Sequence, residues 1–124
     1  MGNKTYQFNY KNNNSFEDRK KLFLELKQSN PDKIFVIIEC NIKDYRRVGD
    51  EKFYKFTLDK TFTISQLVYL LRKKLGMEEC EALFLLDYRE CTLPLEATIE
   101  EVYKKQKDKD GFLYFSYANE LLYG

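Results

Sequence analysis

Two periodicities alternate along the chain. From Ser15, the stretch "SFEDRKKLFLELKQSNPD" sets Phe16, Arg19, Phe23 and Leu26 along one side, with Leu22 beside them, at helical spacing. Ser15 with Asp18 three residues on reads as an N-cap with an acidic first turn, and Asn30-Pro31 reads as the stop. "KIFVIIEC" follows, a short β-branched and aromatic run that predicts a strand buried on both faces. "KFYKFTLD" alternates, with Tyr54, Phe56 and Leu58 on one face and Lys55, Thr57 and Asp59 on the other. Polar residues containing Gly49-Asp50 join the two as a turn.

The helical period returns in "TISQLVYLLRKKLG". Ile64, Leu67, Val68, Leu71 and Leu75 form its apolar stripe, Thr63 and Gln66 a capping box, and Gly76 the C-terminal cap. Arg72, Lys73 and Lys74 occupy the last turn, where cations suit the helix dipole. "ALFLLDY" predicts a strand, "ECTLP" a short edge piece, Thr98 to Lys105 a capped short helix, and "GFLYFSY" a last strand. The first fourteen residues are polar. Tyr6, Phe8 and Tyr10 alternate there, and Asn12-Asn13-Asn14 reads as a loop.

Composition narrows the chemistry. The chain has 124 residues, 33% of them charged and 44% apolar, which fits one globular domain. A net charge of +1 gives no global field for nucleic acid, and no nucleic-acid partner is expected. No apolar run is long enough to span a bilayer. "MGNKTY" opens like a myristoylation signal but has Tyr6 where Ser or Thr belongs. Cys40, Cys80 and Cys91 lack metal or disulfide spacing and fit a reducing compartment. Histidine is absent, which removes the usual nucleophile-activating base; a cysteine enzyme built on Cys91 would need a neighbouring Lys or Arg instead.

From residue 33 the order is strand, strand, helix, strand, short strand, short helix, strand. A hairpin, a helix across one sheet face and a returning strand describe an α+β, ubiquitin-like β-grasp fold. The expected organisation is an N-terminal extension and helix packed on the core over 1–32, the core over 33–117 and a flexible tail over 118–124. Extended, that tail would reach ~20 Å from the globule.

"SFEDRKK", "NPDKIFVIIE", "LLRKKLG", "EALFLL" and "FLYFSY…LYG" together resemble the autophagy-related ubiquitin-like modifiers of the GABARAP and microtubule-associated light-chain type, over Ser15 to Gly124. The resemblance implies that the protein is not an enzyme and needs no cofactor or metal. Its Gly124 would be activated and passed as a thioester between activating and conjugating enzymes. It would end as an amide on phosphatidylethanolamine, reversed by a deconjugating cysteine protease. The protein would be cytoplasmic, and on autophagosomal membranes when lipidated.

The resemblance also implies a site for aromatic-x-x-aliphatic peptides, which recruit cargo receptors by adding a strand beside Lys55 to Leu58. Its aromatic pocket would use Leu22, Leu26, Ile37, Lys55 and Phe112, with Phe35 at the wall. Its aliphatic pocket would use Phe56, Leu58, Phe62, Leu67 and Leu70. Lys33, Lys55 and Lys74 would face acidic flanks of the peptide. Lys55 and Phe112 are expected at the edge or rim, whereas Phe56 and Leu67 suit core and pocket equally. The chain departs from the family pattern in having Phe35 and Asp59 where Pro is usual and Leu22 where an acid is usual. A peptide-binding adaptor that is never conjugated, and a plastid-associated lipid-conjugated modifier, are the alternative readings.

Overall fold

The computed structural model describes residues 5–41 and 52–119. The expected Gly49-Asp50 turn and residues 120–124 of the expected tail, Gly124 included, lie outside them; Ala118, expected to open the tail, is instead the buried last residue of a strand. The elements are α1 (Asn9–Asn13), α2 (Phe16–Ser29), β1 (Ile34–Cys40), β2 (Phe53–Leu58), α3 (Ile64–Leu75), β3 (Phe84–Leu86), α4 (Ile99–Gln106) and β4 (Leu113–Ala118).

The helix ends follow the residues that were read as caps. Ser15 Oγ accepts the Asp18 N–H at 3.1 Å, and the Asn30 N–H closes α2 on the Leu26 carbonyl. Both capping boxes form, Thr63 with Gln66 and Thr98 with Glu101. Gly76 ends α3 in the left-handed conformation at φ 66°.

Two local expectations fail, each for a long-range reason. Residues 12–14 were expected as loop, but Asn12 and Asn13 close α1. The buried Glu39 carboxylate of β1 accepts the Asn9 and Tyr10 N–H groups at 2.8 and 3.1 Å, capping α1 from a distant strand. The strand expected over 82–88 shrinks to Phe84–Leu86, and "ECTLP" contributes a single bridge, Leu86 to Thr92. The Asp87 carboxylate turns the chain by accepting the Arg89 and Cys91 N–H groups at 2.8 and 3.0 Å, and Glu90 takes φ 61°.

The sheet order is β2-β1-β4-β3, with β1 antiparallel to β2, parallel to β4, and β3 antiparallel to β4. Central β1 is buried on both faces from Ile34 to Glu39, as its continuous apolar run predicted. Val36, Ile38, Leu113 and Phe115 pack with Ile64, Leu67 and Leu71 of α3 and with Ile99 and Val102 of α4. The opposite face is buried as well, under the N-terminal segment and helix that were expected to pack on the core. Phe35, Ile37, Phe112 and Tyr114 pack there with Phe23 of α2 and with Phe8 and Tyr10. The N-terminal helices are therefore the third layer of a helix–sheet–helix sandwich.

Candidate functional site: the outer edge of β2

Among the described residues β2 pairs with β1 alone. Its other side presents backbone groups outward, the arrangement that accepts an added strand. Pairing register sets which side chains flank that edge. Lys55 lies opposite Ile37 and therefore shares the α2 side of the sheet; Phe56 lies opposite Val36 and shares the α3 side.

On the α2 side, half-buried Leu22 and Leu26 pack against buried Phe35, Ile37 and Phe112, and Lys55 stands exposed. On the α3 side, half-buried Phe56, Phe62 and Leu70 pack against buried Leu58 and Leu67. The two sets expected as aromatic and aliphatic pockets thus fall into two separate apolar clusters on opposite sides of one edge strand. Phe35, Ile37, Leu58, Leu67 and Phe112 are the buried members of these clusters; Leu22, Leu26, Phe56, Phe62 and Leu70 are half-buried, and Lys55 is exposed.

Phe112 corrects the expected rim position, because only 1% of it is exposed. It immediately precedes β4, which lies beyond β1 from the edge, and its ring sits between Phe23 and Tyr114 with centroids 5.6 and 6.3 Å away. The parallel β1–β4 pairing that draws it inward leaves no local mark in the sequence.

The lysines divide. Lys33 Nζ forms an ion pair with Asp59, so its charge is met by a carboxylate just past the end of β2. Lys74 is exposed in the last turn of α3. Lys55 Nζ lies 5.2 Å from the centroid of the Tyr10 ring, a cation–π distance. Tyr10 in turn meets Phe53 edge-on, with centroids 5.2 Å apart and planes at 75°. Tyr10 and Phe53 were not among the expected site residues. The Tyr6-Phe8-Tyr10 alternation and the position of Phe53 two residues before Lys55 were the available signals.

Behind the α2 cluster lies a polar lock. Arg19 Nη1 donates to Asp110 Oδ2 at 2.5 Å, and Asp110 also accepts from Tyr114 Oη at 2.5 Å and from the Phe112 N–H at 2.8 Å. Burial would lower the Arg19 pKa, but its bonds to Tyr114 and Asp110 outweigh that and raise it. Burial, then the bond to Asp110, raises the Tyr114 phenol. Lys11 Nζ adds a 2.5 Å ion pair to Asp108.

Two open clefts lie elsewhere. One of about 440 Å³ runs between Tyr6, Phe8, Lys11, Tyr88 and Gln106; one of about 470 Å³ lies on the outer face of α2 between Phe16, Lys20 and Leu24. None of the expected peptide-site residues lines either. Cys91 is exposed in the turn after Glu90, its thiol 3.7 Å from the Arg89 carbonyl oxygen. Among the described residues no helix is long and apolar enough to cross a membrane.

A family model described as "Autophagy protein Atg8 ubiquitin like" matches residues 18–124. The Autophagy-related protein 8 of Mycosarcoma maydis is 34% identical over 116 residues, covering 93% of this chain and 95% of that protein. The crystal structure of Trypanosoma brucei ATG8 superposes with a TM-score of 0.78 at 31% identity, covering 95% of this chain and 99% of the other. The N-terminal helices, the mixed four-stranded sheet and these relatives agree, and the ubiquitin-like α+β fold expected from the sequence is theirs. The chain belongs to the Atg8 family of ubiquitin-like autophagy proteins.

Proposed function

We propose that this protein is a lipid-conjugated modifier that carries cargo-receptor peptides to autophagosomal membranes. The observation that carries the peptide half is the outward edge of β2, with one apolar cluster on each side and exposed Lys55 beside it. A peptide strand added along Lys55 to Leu58 would gain main-chain hydrogen bonds. Its aromatic anchor would meet Leu22 and Leu26, and its aliphatic anchor Phe56, Phe62 and Leu70.

Conjugation through Gly124 is supported by family membership. The terminal carboxylate attacks ATP to give an acyl-adenylate and pyrophosphate. A thiol of the activating enzyme displaces AMP, a second thiol takes the acyl group, and the amine of phosphatidylethanolamine displaces that thiol to form the amide. The chain supplies the electrophile and no catalytic group. Glycine leaves the carbonyl open to thiols from almost any direction. The attached acyl chains bind the bilayer at ~0.8 kcal/mol per buried CH₂, so a cytoplasmic and a membrane-bound pool are expected. A deconjugating cysteine protease would interconvert them.

The test is incubation with activating and conjugating enzymes of the family, ATP and phosphatidylethanolamine liposomes. A lipid-dependent gel shift is expected, and Gly124→Ala should impair it. No shift for the wild type would leave the peptide-binding adaptor as the reading.

A further inference from the structure

We propose that Tyr10 is a positioning residue of the peptide edge. It holds the Lys55 ammonium on its ring, so that the charge stands at the aromatic pocket and reads an acidic residue beside the aromatic anchor of the peptide. The inference rests on the peptide-docking reading above.

The ring is a fixed platform. The Tyr10 N–H donates to Glu39 Oε1 at 3.1 Å, and its carbonyl accepts from Asn14 Nδ2 at 3.0 Å. The ring packs edge-on against Phe53 and tilted against Tyr114, and Tyr10 is only 6% exposed. Glu39 is itself buried and is held by Tyr6 Oη at 2.7 Å and the Asn9 N–H at 2.8 Å. The platform is therefore tied to the central strand.

Lys55 is the opposite kind of group, a long exposed side chain on the edge strand. Left in water it would lose rotamer freedom on meeting a peptide carboxylate. Resting on Tyr10, it has given up part of that freedom beforehand. The kind of partner matters as much. Lys33 faces a carboxylate, Asp59, which cancels its field. Lys55 faces a π-system, which attracts the ammonium through a quadrupole and leaves its net charge available to a ligand. The N-terminal segment thereby takes part in selecting peptides, although none of the expected pocket residues precedes Leu22.

Two measurements test this on the full chain. In the unliganded protein, NMR should find the Lys55 Cε protons shifted upfield by the Tyr10 ring current. The shift should persist in Tyr10→Phe and vanish in Tyr10→Leu. Fluorescence anisotropy then compares labelled Glu-Glu-Trp-Ala-Ala-Leu and Ser-Ser-Trp-Ala-Ala-Leu. The wild type and Tyr10→Phe should prefer the acidic peptide by about two- to fivefold, the range expected of one exposed cation–π or ion pair. Tyr10→Leu should lose that preference while keeping its affinity for the serine peptide, and should have no further effect in a Lys55→Met background. An unshifted Lys55, an acidic preference that survives Tyr10→Leu, or equal losses for both peptides overturns the proposal alone. A wild type that binds neither peptide overturns the docking reading with it.

Discussion

Arg19 in α2 and Asp110 ahead of β4 meet at 2.5 Å, and Asp110 is completely buried. The two lie 91 residues apart in sequence, so the pair fastens the N-terminal layer to the centre of the sheet. A buried pair of this kind adds little over an apolar replacement, but breaking one side strands the other charge. Asp110→Ala leaves Arg19 without its closest anion and also leaves the Phe112 N–H and the Tyr114 hydroxyl without their acceptor. We expect a loss of about 3–5 kcal/mol in urea denaturation. Arg19→Met should cost less, because Asp110 keeps two donors. Equal and small losses for both variants would show that the pair does not fasten the layer.

Gly111 and Gly76 both have positive φ, and replacing them should differ sharply. At Gly76 (φ 66°) an added Cβ meets nothing within 4 Å, so Gly76→Ala carries only the backbone penalty, about 1–2 kcal/mol. At Gly111 (φ 100°) it would stand 2.5 Å from the Phe23 ring. Gly111→Ala must therefore displace Phe23 from Phe35 and Phe112, adding an overpacking cost of about 1–3 kcal/mol. Thermal melts of the two variants side by side check the order, and a Gly76→Ala melt as low as that of Gly111→Ala would refute it.

Acid should loosen the same layer. Burial pushes the Asp108 carboxyl up, but the Lys11 ammonium, the Asp110 N–H and Arg19 outweigh it and hold its pKa below the ordinary 3.8. A depressed carboxyl pKa means that the unfolded chain takes up its proton first as pH falls. The stabilisation is fully present above 3.8 and is lost as pH drops through the folded value. Lys11→Met should weaken that acid dependence. The check is melting temperature against pH from neutral to strongly acid for both proteins; parallel curves would exclude this role for Asp108.

These contacts also mark where the sequence stops being legible. Ser15, Thr63 with Gln66, Thr98 with Glu101, and Gly76 act within one helical turn, and each cap formed where it was read. The β1 run and the alternation of β2 were equally local. What escaped was carried by partners far away in sequence. Asn12 and Asn13, which close α1, read as loop because the cap, Glu39, lies 29 residues beyond Tyr10. Phe112 read as rim because nothing near it tells that β4 inserts beside β1. Lys33 read as an available cation because Asp59 becomes its neighbour only across the β1–β2 pair. The edge strand was legible from pattern together with family resemblance; the aromatic platform beside it was not.

Binding and folding should separate at the β2 edge according to burial. Leu67 is completely buried beneath the α3 side of the sheet. Leu67→Ala should cost about 2–5 kcal/mol of stability, so lost peptide binding there would report unfolding. Phe62 and Leu70 are half-buried at the surface of the same cluster. Truncating them removes contact area offered to the aliphatic anchor and leaves a smaller void. We expect Phe62→Ala and Leu70→Ala to weaken a Trp-x-x-Leu peptide by about five- to thirtyfold, the loss typical of an interface anchor. Their melting temperatures should stay well above that of Leu67→Ala. Calorimetric titration paired with melts of the three variants makes the test. If Phe62→Ala and Leu70→Ala both fold and bind as tightly as the wild type, the aliphatic anchor does not sit on the α3 side of β2, and the strand edge must take its ligands in another way.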